Sequence, residues 1–208
     1  MRKQLFCTTI LIFLLAFTVS ATTLTYNGNP AGLNDGTYYV GNTSGTLGGV
    51  GSITMWCVDP LHLISANSWD VNVVSLANPV GLAGLLPGVT VDDYKAMFLL
   101  GLQFTNSNPT DTGLHHEIWS FANSGAYSLT STQQAQKSGA LATVGNYDWT
   151  EAYVLIPQGS PIQWTGQVFE YGTVSASAVP EPMSFVLIGT GLVGLGLLRR
   201  RETTAASK

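Results

Sequence analysis

Two long apolar runs lie near the ends of the chain, and the residues between them follow shorter hydrophobic periods. Leu5–Val19 and Met183–Leu198 contain no charged residue. Between these runs, apolar positions recur at strand spacing over most of the chain and at helical spacing near its middle. The pattern therefore predicts one globular body, residues 22–174, with a hydrophobic segment on either side.

The first and last parts of the body have the pattern of a β protein. Apolar and β-branched residues form short runs there, separated by Gly, Asn and Pro, which is typical of antiparallel strands joined by turns. The predicted strands are Thr22–Asn27, Thr37–Asn42, Gly48–Val58, Asp70–Ser75, Ala152–Pro157 and Ile162–Val174.

The middle of the body changes to a helical period. The predicted helices are Val91–Leu102, Asp111–Asn123 and Ser131–Thr143, with Thr90 and Ser131 as N-caps of the first and third. The predicted fold class is therefore mainly β or α+β. It consists of an antiparallel β body with an inserted segment of two or three helices, followed by a C-terminal single transmembrane helix.

The first apolar run has the composition of a secretory signal peptide. Arg2 and Lys3 precede the run Leu5–Val19, and the small residue Ala21 follows it closely. Signal peptidase is expected to cut after Ala21. Residues 1–21 are therefore predicted to be removed, and the body is predicted to be exported.

The second apolar run is predicted to be a membrane anchor. Residues 183–198 form the expected transmembrane helix, and the arginine cluster 199–201 follows it directly. Because arginines remain on the cytoplasmic side, the body is expected outside the inner membrane. The run spans only roughly 24 Å, against a hydrocarbon core of about 30 Å, which indicates a weak and transient anchor. Residues 175–179 are predicted to be a flexible linker, and the linker and anchor together occupy residues 175–208.

This tail resembles the PEP-CTERM sorting signal of Gram-negative bacteria. Three unlike features stand in the order of that signal, and they are Val179-Pro180-Glu181-Pro182, the apolar run, and Arg199-Arg200-Arg201. The resemblance implies recognition by an exosortase and release to the cell surface or the extracellular space in an organism that makes exopolysaccharide. An ordinary single-pass tail anchor is the alternative interpretation.

The charges of the body exclude one class of function. Residues 22–180 contain two basic residues, Lys95 and Lys137, against ten acidic ones, which gives a net charge of −8 compared with −4 for the whole chain. Without a basic patch, binding to nucleic acid is not expected. An acidic body with few charges and many Gly, Ser and Thr residues fits an extracellular protein.

Cys57 and two adjacent histidines are the candidates for chemistry. Cys57 is the single cysteine left after the signal peptide is removed, so an intramolecular disulfide is not possible. Projection of the second helix at about 100° per residue places His115 in the apolar arc, and it places His116 and Glu117 toward solvent or a groove edge. Adjacent histidines lack the i, i+4 spacing of a helical zinc pair, so neither a metal nor a cofactor is expected.

Two short segments resemble the signature segments of bacterial thioester domains on surface proteins. They are residues 56–59 (WCVD) at the end of a strand and residues 114–119 (LHHEIW) on a helix. The resemblance implies that Cys57 and His115 are neighbours in the core, with Trp119 beside them. Members of that family carry Gln where this chain has His115. Because an imidazole cannot form a thioester with a thiol, no covalent bond is expected.

Together these features predict an exported, non-enzymatic protein of the cell surface or exopolysaccharide matrix, which an exosortase sorts through its tail. The alternative is a secreted hydrolase in which His115 is the base that activates the Cys57 thiol. The hydrolase requires the imidazole to accept the proton of the thiol. Sedimentation of the purified domain with native polysaccharide would favour the matrix protein, whereas turnover that Cys57→Ser abolishes without changing the fold would favour the hydrolase.

Overall fold

The computed structural model describes residues 21–28, 40–104, 111–159 and 166–177. The strands are β1 Ala21–Gly28, β2 Asn42–Leu47, β3 Gly51–Cys57, β4 Ser68–Ser75, β5 Tyr147–Asp148, β6 Ala152–Pro157, β7 Phe169–Gly172 and β8 Ser175–Ala176. The helices are α1 Val91–Gly101, α2 Thr112–Trp119 and α3 Ser131–Thr143, and α3 continues into a 3-10 turn, Val144–Asn146.

Six of the strands close into a barrel in the order β1-β2-β3-β7-β6-β4, with β4 paired to β1. Each of these pairings is antiparallel. β5 and β8 form a separate two-stranded sheet in which Tyr147 lies opposite Ala176. The predicted fold class is confirmed in its coarse form, which is a mainly antiparallel β structure with three helices.

Each barrel strand contributes at least one buried apolar side chain to the interior. These side chains include Leu24, Leu47, Met55, Val71, Leu155 and Phe169, and all of them are buried. They follow from the period of two in the strands, which turns every second side chain to the same face. A barrel of six strands is narrow. Gly45 of β2 makes room for Met55, because a Cβ atom at Gly45 would lie 2.9 Å from the Met55 methyl carbon.

The helices cover the outer face of the barrel on one side. Trp56, Val74 and Val154 project outward from β3, β4 and β6 into a buried cluster that also contains Phe98 of α1. The Trp56 ring meets the Phe98 ring edge to face, with 5.1 Å between the centroids. On the uncovered side, β1 presents polar side chains such as Thr25 to solvent. β6 is therefore apolar on both faces, which explains its continuous hydrophobic sequence, AYVLIP.

α1 and α3 both begin with a capping box. The Thr90 hydroxyl accepts a hydrogen bond from the Asp93 N–H at 3.2 Å, and the Asp93 carboxylate accepts one from the Thr90 N–H at 2.8 Å. Thr130 and Gln133 repeat this arrangement in α3. The predicted cap Thr90 is confirmed, whereas Ser131 is wrong by one residue. Thr130 is the cap because its hydroxyl lies three residues before Gln133, whose side chain can reciprocate.

β2 differs from the sequence prediction. The chain was expected to leave its second strand at Asn42 and to begin the next at Gly48, but Asn42–Leu47 is a complete strand and residues 48–50 form a turn. This segment is rich in Thr, Ser and Gly and has little apolar alternation. It is a strand because it pairs along its length with β1 and with β3, and such pairing outweighs local preference.

The folded part of the chain also continues past the predicted start of the linker. Ser175 and Ala176 pair with β5, and the Ser177 N–H donates to the Asn146 carbonyl at 2.8 Å. A sequence of small residues was expected to be a flexible linker, but its backbone finds partners beside the 3-10 turn. The described domain therefore includes residues 175–177.

Several predictions lie outside the described residues. They are the signal peptide up to residue 20, the strand segments 37–39 and 162–165, the motif Val179–Pro182, the apolar run 183–198 and the cluster Arg199–Arg201. Among the residues that are described, none of the helices combines the length and the apolar character needed to cross a bilayer.

Candidate functional site

His115 of α2 lies against the end of β3, where Cys57 is the last residue. The His115 Nε2–H donates to the Cys57 carbonyl at 2.9 Å, and His115 Nδ1 accepts from the Gly41 N–H at 2.6 Å. The Trp119 indole N–H donates to the same Cys57 carbonyl at 3.1 Å, and the His115 and Trp119 rings are 4.1 Å apart. Because a backbone N–H can only donate, these contacts identify the neutral tautomer with its proton on Nε2.

The structure brings Cys57 and His115 together through the main chain of the cysteine. The sequence predicted side-chain contact between the two residues, whereas the hydrogen bond from the imidazole goes to the Cys57 carbonyl. The reason is the direction of the strand. The Cys57 side chain belongs to the apolar cluster of the barrel interior, and the helices cover the outer face.

The Cys57 thiol is free and buried. It donates to the Asp59 carbonyl at 3.3 Å and accepts from the Asp59 N–H at 3.4 Å. Burial, followed by the charge of Asp59, raises the pKa of the Cys57 thiol well above its ordinary value, although the Asp59 backbone and the Trp119 indole partly oppose this shift. The thiol is therefore protonated and unreactive at neutral pH.

The arrangement does not supply a nucleophile and a base. A general base needs an acceptor atom within hydrogen-bond reach of the proton that it removes. The acceptor nitrogen of His115 is Nδ1, which holds the Gly41 N–H, while Nε2 carries a proton. The imidazole instead ties the start of β2 to the end of β3 and to α2, which is a structural role.

A second polar cluster follows Cys57 in the chain. Asp59 is fully buried, and its carboxylate contacts His62 Nδ1 at 2.7 Å and the Leu61 N–H at 2.9 Å. The Gln167 amide donates to the Asp59 carbonyl at 3.1 Å and also to the His62 carbonyl. These contacts anchor the loop after β3 to the chain entering β7. The Asp-x-x-His spacing was the available sequence signal.

Glu170 is a buried acid that sequence reasoning missed. It lies on β7, and its Oε2 accepts from the Trp56 indole N–H at 3.0 Å. Burial raises the pKa of Glu170 well above its ordinary value, which the Trp56 hydrogen bond partly offsets. In sequence, Glu170 alternates with Phe169 and Tyr171, which suggests that it faces solvent. It does face outward from the barrel, but that face is covered by the helices.

Glu117 is also buried, contrary to the sequence prediction. It is 2% exposed, whereas His116 is half-buried with its ring 4.9 Å from the Tyr127 ring. The prediction was wrong because the projection considered α2 against one surface, whereas α3 covers a second face. The Gln133 amide of α3 donates to the Gly113 carbonyl of α2 at 3.0 Å, which connects the two helices.

No group of three His, Cys, Asp or Glu side chains in the described part of the chain could hold a metal ion. The other predicted functional residues, Val179–Pro182 and Arg199–Arg201, lie outside that part. The chain matches no protein-family model, no curated protein and no solved structure.

Proposed function

We propose that this chain is an exported, non-enzymatic protein of the cell surface or extracellular matrix that is sorted by an exosortase. Signal peptidase removes residues 1–21, and the apolar run 183–198 holds the protein transiently in the inner membrane. The exosortase then processes the chain near Pro180–Pro182. The released body associates with exopolysaccharide.

One observation carries this proposal, and it is the order of features in the tail. The motif Val179–Pro182, the apolar run and the cluster Arg199–Arg201 follow one another directly. The arginines stand on one side of the run alone, which defines its orientation in a membrane. The signal-like N-terminus, with Arg2 and Lys3 before an apolar run, supports export of the residues between the two ends.

The position of the folded body is compatible with processing at this motif. The last described strand ends at Ala176, and the motif begins at Val179. Cleavage near Pro180 would therefore leave all eight described strands in the released product. The body would keep its fold after processing, as a matrix protein must.

The geometry around Cys57 supports the non-enzymatic role over a Cys57/His115 hydrolase. The thiol is buried and its pKa is raised, and the acceptor nitrogen of His115 is occupied by a backbone N–H. A hydrolase would have to break the contact between His115 and Gly41 before the thiol could be activated. The contact instead joins the start of β2 to α2 at this end of the barrel.

Processing can be tested with two acidic residues that flank the anchor. In a host that encodes an exosortase, the wild-type body should appear at the surface or in the medium without its tail. Glu181→Ala should leave the chain in the inner membrane with its tail attached, because the motif is lost. Glu202→Ala, the same substitution beyond the arginines, should be processed like the wild type.

Intact-mass measurement of the membrane, surface and medium fractions gives the readout. Equal masses and equal distributions for wild type and Glu181→Ala, in strains with and without the exosortase, would support an ordinary tail anchor instead. Association with matrix is a separate measurement, in which the released body should sediment with native exopolysaccharide.

A further inference from the structure

A polar cavity of about 320 Å³ lies where the end of α1 and the first turn of α3 meet α2. Its wall consists mainly of acidic and amide side chains, with one apolar residue. The lining residues are Gln103, Asp111, Gly113, Leu114, Glu117, Gln133 and Gln136. This volume is at the lower end of the range for small-molecule sites, which run from about 300 to 1,000 Å³.

Glu117 is the unusual residue of this wall. It is 98% buried, since only 2% of its surface is exposed, and its Oε2 has no hydrogen-bond partner among the described residues. Buried polar atoms in folded proteins are nearly always paired. Glu170 Oε1 is unpaired as well, but Glu117 is the one of these two acids that lines this cavity. A carboxyl group with an unpaired oxygen in the wall of a cavity therefore points to a partner from outside the chain.

The other polar groups of the cavity divide into fixed and available ones. Gln133 is fixed, because its carbonyl oxygen accepts from Thr130 and its amide donates to Gly113. Gln103 and Gln136 are exposed at the rim. The cavity is thus lined by the buried acid Glu117 and by the two exposed amides of Gln103 and Gln136. These amides can donate and accept hydrogen bonds.

The charge and size of the cavity select among ligand classes. Its lining contains two acids and neither Lys nor Arg, so an anionic ligand would be repelled. A bare metal ion binds oxygen ligands at about 2.0–2.6 Å, and the cavity is far wider than such a site. A neutral ligand with several hydroxyl groups matches both the volume and the mixture of donors and acceptors.

We propose that this cavity binds one neutral sugar unit, with a sugar hydroxyl on the Glu117 carboxyl group and further hydroxyls on the amides of Gln103 and Gln136. Burial, followed by the charge of Asp111, raises the pKa of Glu117 to about 7. The carboxyl group is therefore partly protonated at neutral pH and can donate as well as accept. The inference rests on the proposed function only for its source of ligand, the matrix polysaccharide.

The test uses the full-length chain, purified in a detergent that has no sugar head group. Glucose, galactose, mannose and N-acetylglucosamine are titrated separately by calorimetry, with galacturonic acid and calcium chloride as charged probes. We expect saturable binding of at least one neutral sugar. Galacturonic acid should bind more weakly than galactose, because its carboxylate meets Glu117 and Asp111.

Variants of Glu117 connect this binding to the cavity. Glu117→Leu should lower the affinity about tenfold, because it removes the hydroxyl partner. Glu117→Gln keeps a donor and an acceptor and should stay close to wild type. Glu151→Gln changes an exposed acid elsewhere and should have no effect. Glu117→Leu is expected to fold, because it removes a buried carboxyl group with an unpaired oxygen. Circular dichroism of the variant checks its secondary structure.

If Glu117→Leu does not fold, the exposed pair Gln103→Ala and Gln136→Ala provides a second route, with an expected loss of about tenfold. Absence of binding by all four neutral sugars overturns the proposal. Unchanged binding by a folded Glu117→Leu chain, or saturable binding of calcium alone, also overturns it. Sorting of the Glu181→Ala chain is measured without any sugar, so failure of the cavity and failure of the proposed function remain distinguishable.

Discussion

The barrel interior and the helical layer on the outside of the barrel are both buried, but they differ in chemistry. The interior receives an apolar side chain from each of six strands. Its polar member Thr43 is 5% exposed and donates to the Gly28 carbonyl at 2.7 Å. The helical layer, together with the barrel surface that it covers, contains His115, Glu117 and Glu170, all at most 2% exposed.

The difference follows from how each region is built. Inside the barrel, strands satisfy their own backbone groups by pairing, so the side chains need only fill space. In the layer, helix ends and strand ends meet, and some main-chain groups lack a partner within their own element. The Cys57 carbonyl and the Gly41 N–H are two such groups, and His115 bonds to both. The interior is therefore held together by apolar packing, while the layer contains the buried histidine and acids.

The largest expected effect is the loss of an interior ring. Phe169→Ala should lower the free energy of unfolding by about 3–5 kcal/mol, because it leaves a cavity in a narrow barrel. The Phe169 ring lies 6.1 Å from the Tyr26 ring and 6.3 Å from the Trp69 ring. Denaturant unfolding followed by tryptophan fluorescence measures the change.

Phe121→Ala is the matched control, since this ring is only half-buried at the edge of the helical layer. It should cost roughly 1–2 kcal/mol. Equal losses for the two variants would contradict the view that a ring of the interior is packed more closely than a ring at the edge of the helical layer.

The next effect tests the layer. His115→Ala should lower the free energy of unfolding by about 2–4 kcal/mol, because it leaves the buried Gly41 N–H without its acceptor and opens a cavity beside Trp119. His116→Ala, at the adjacent half-buried position, should cost about 1 kcal/mol or less. If the two histidine variants were equally stable, His115 could not be the link between β2, β3 and α2.

The sequence predicts the strands of the barrel better than it predicts the contacts of the helical layer. Leu24, Val71 and Leu155 follow a strand period, and the strands that contain them were predicted within a few residues. β6 was predicted with its observed ends, Ala152–Pro157. Local alternation is sufficient in these cases, because the side of a strand that faces the interior is determined by its own residues.

The layer was predicted less well, because its contacts join distant parts of the chain. Projection of α2 correctly turned His115 to the core, but it turned Glu117 to solvent, since the position of α3 is not encoded in α2. The bond between His115 and Gly41 spans 74 residues. Glu170 alternates as a surface residue would, and only the helices over β7 make its side chain buried. The spacing of residues in the sequence therefore predicts neither the Gly41 partner of His115 nor the helices that cover Glu170.

The smallest expected effect separates the two regions by pH. Burial raises the pKa of Glu117 from its ordinary value of 4.5 to about 7 in the folded protein. The folded state thus retains a proton that the unfolded state has lost, so the contribution of the neutral acid to stability is complete below pH 4.5 and is lost as the pH rises to about 7.

The variant Glu117→Gln lacks this titration. Its free energy of unfolding should equal that of the wild type near pH 4 and exceed it by about 1–3 kcal/mol above pH 7. Phe169→Ala should show a constant loss between pH 4 and pH 8, because the cluster around that ring consists of apolar and aromatic side chains and the Cys57 thiol, whose pKa is raised far above this range. A gain for Glu117→Gln of the same size at pH 4 and pH 8 would mean that the carboxyl group does not titrate between these values, and the layer would then be as indifferent to pH as the barrel interior.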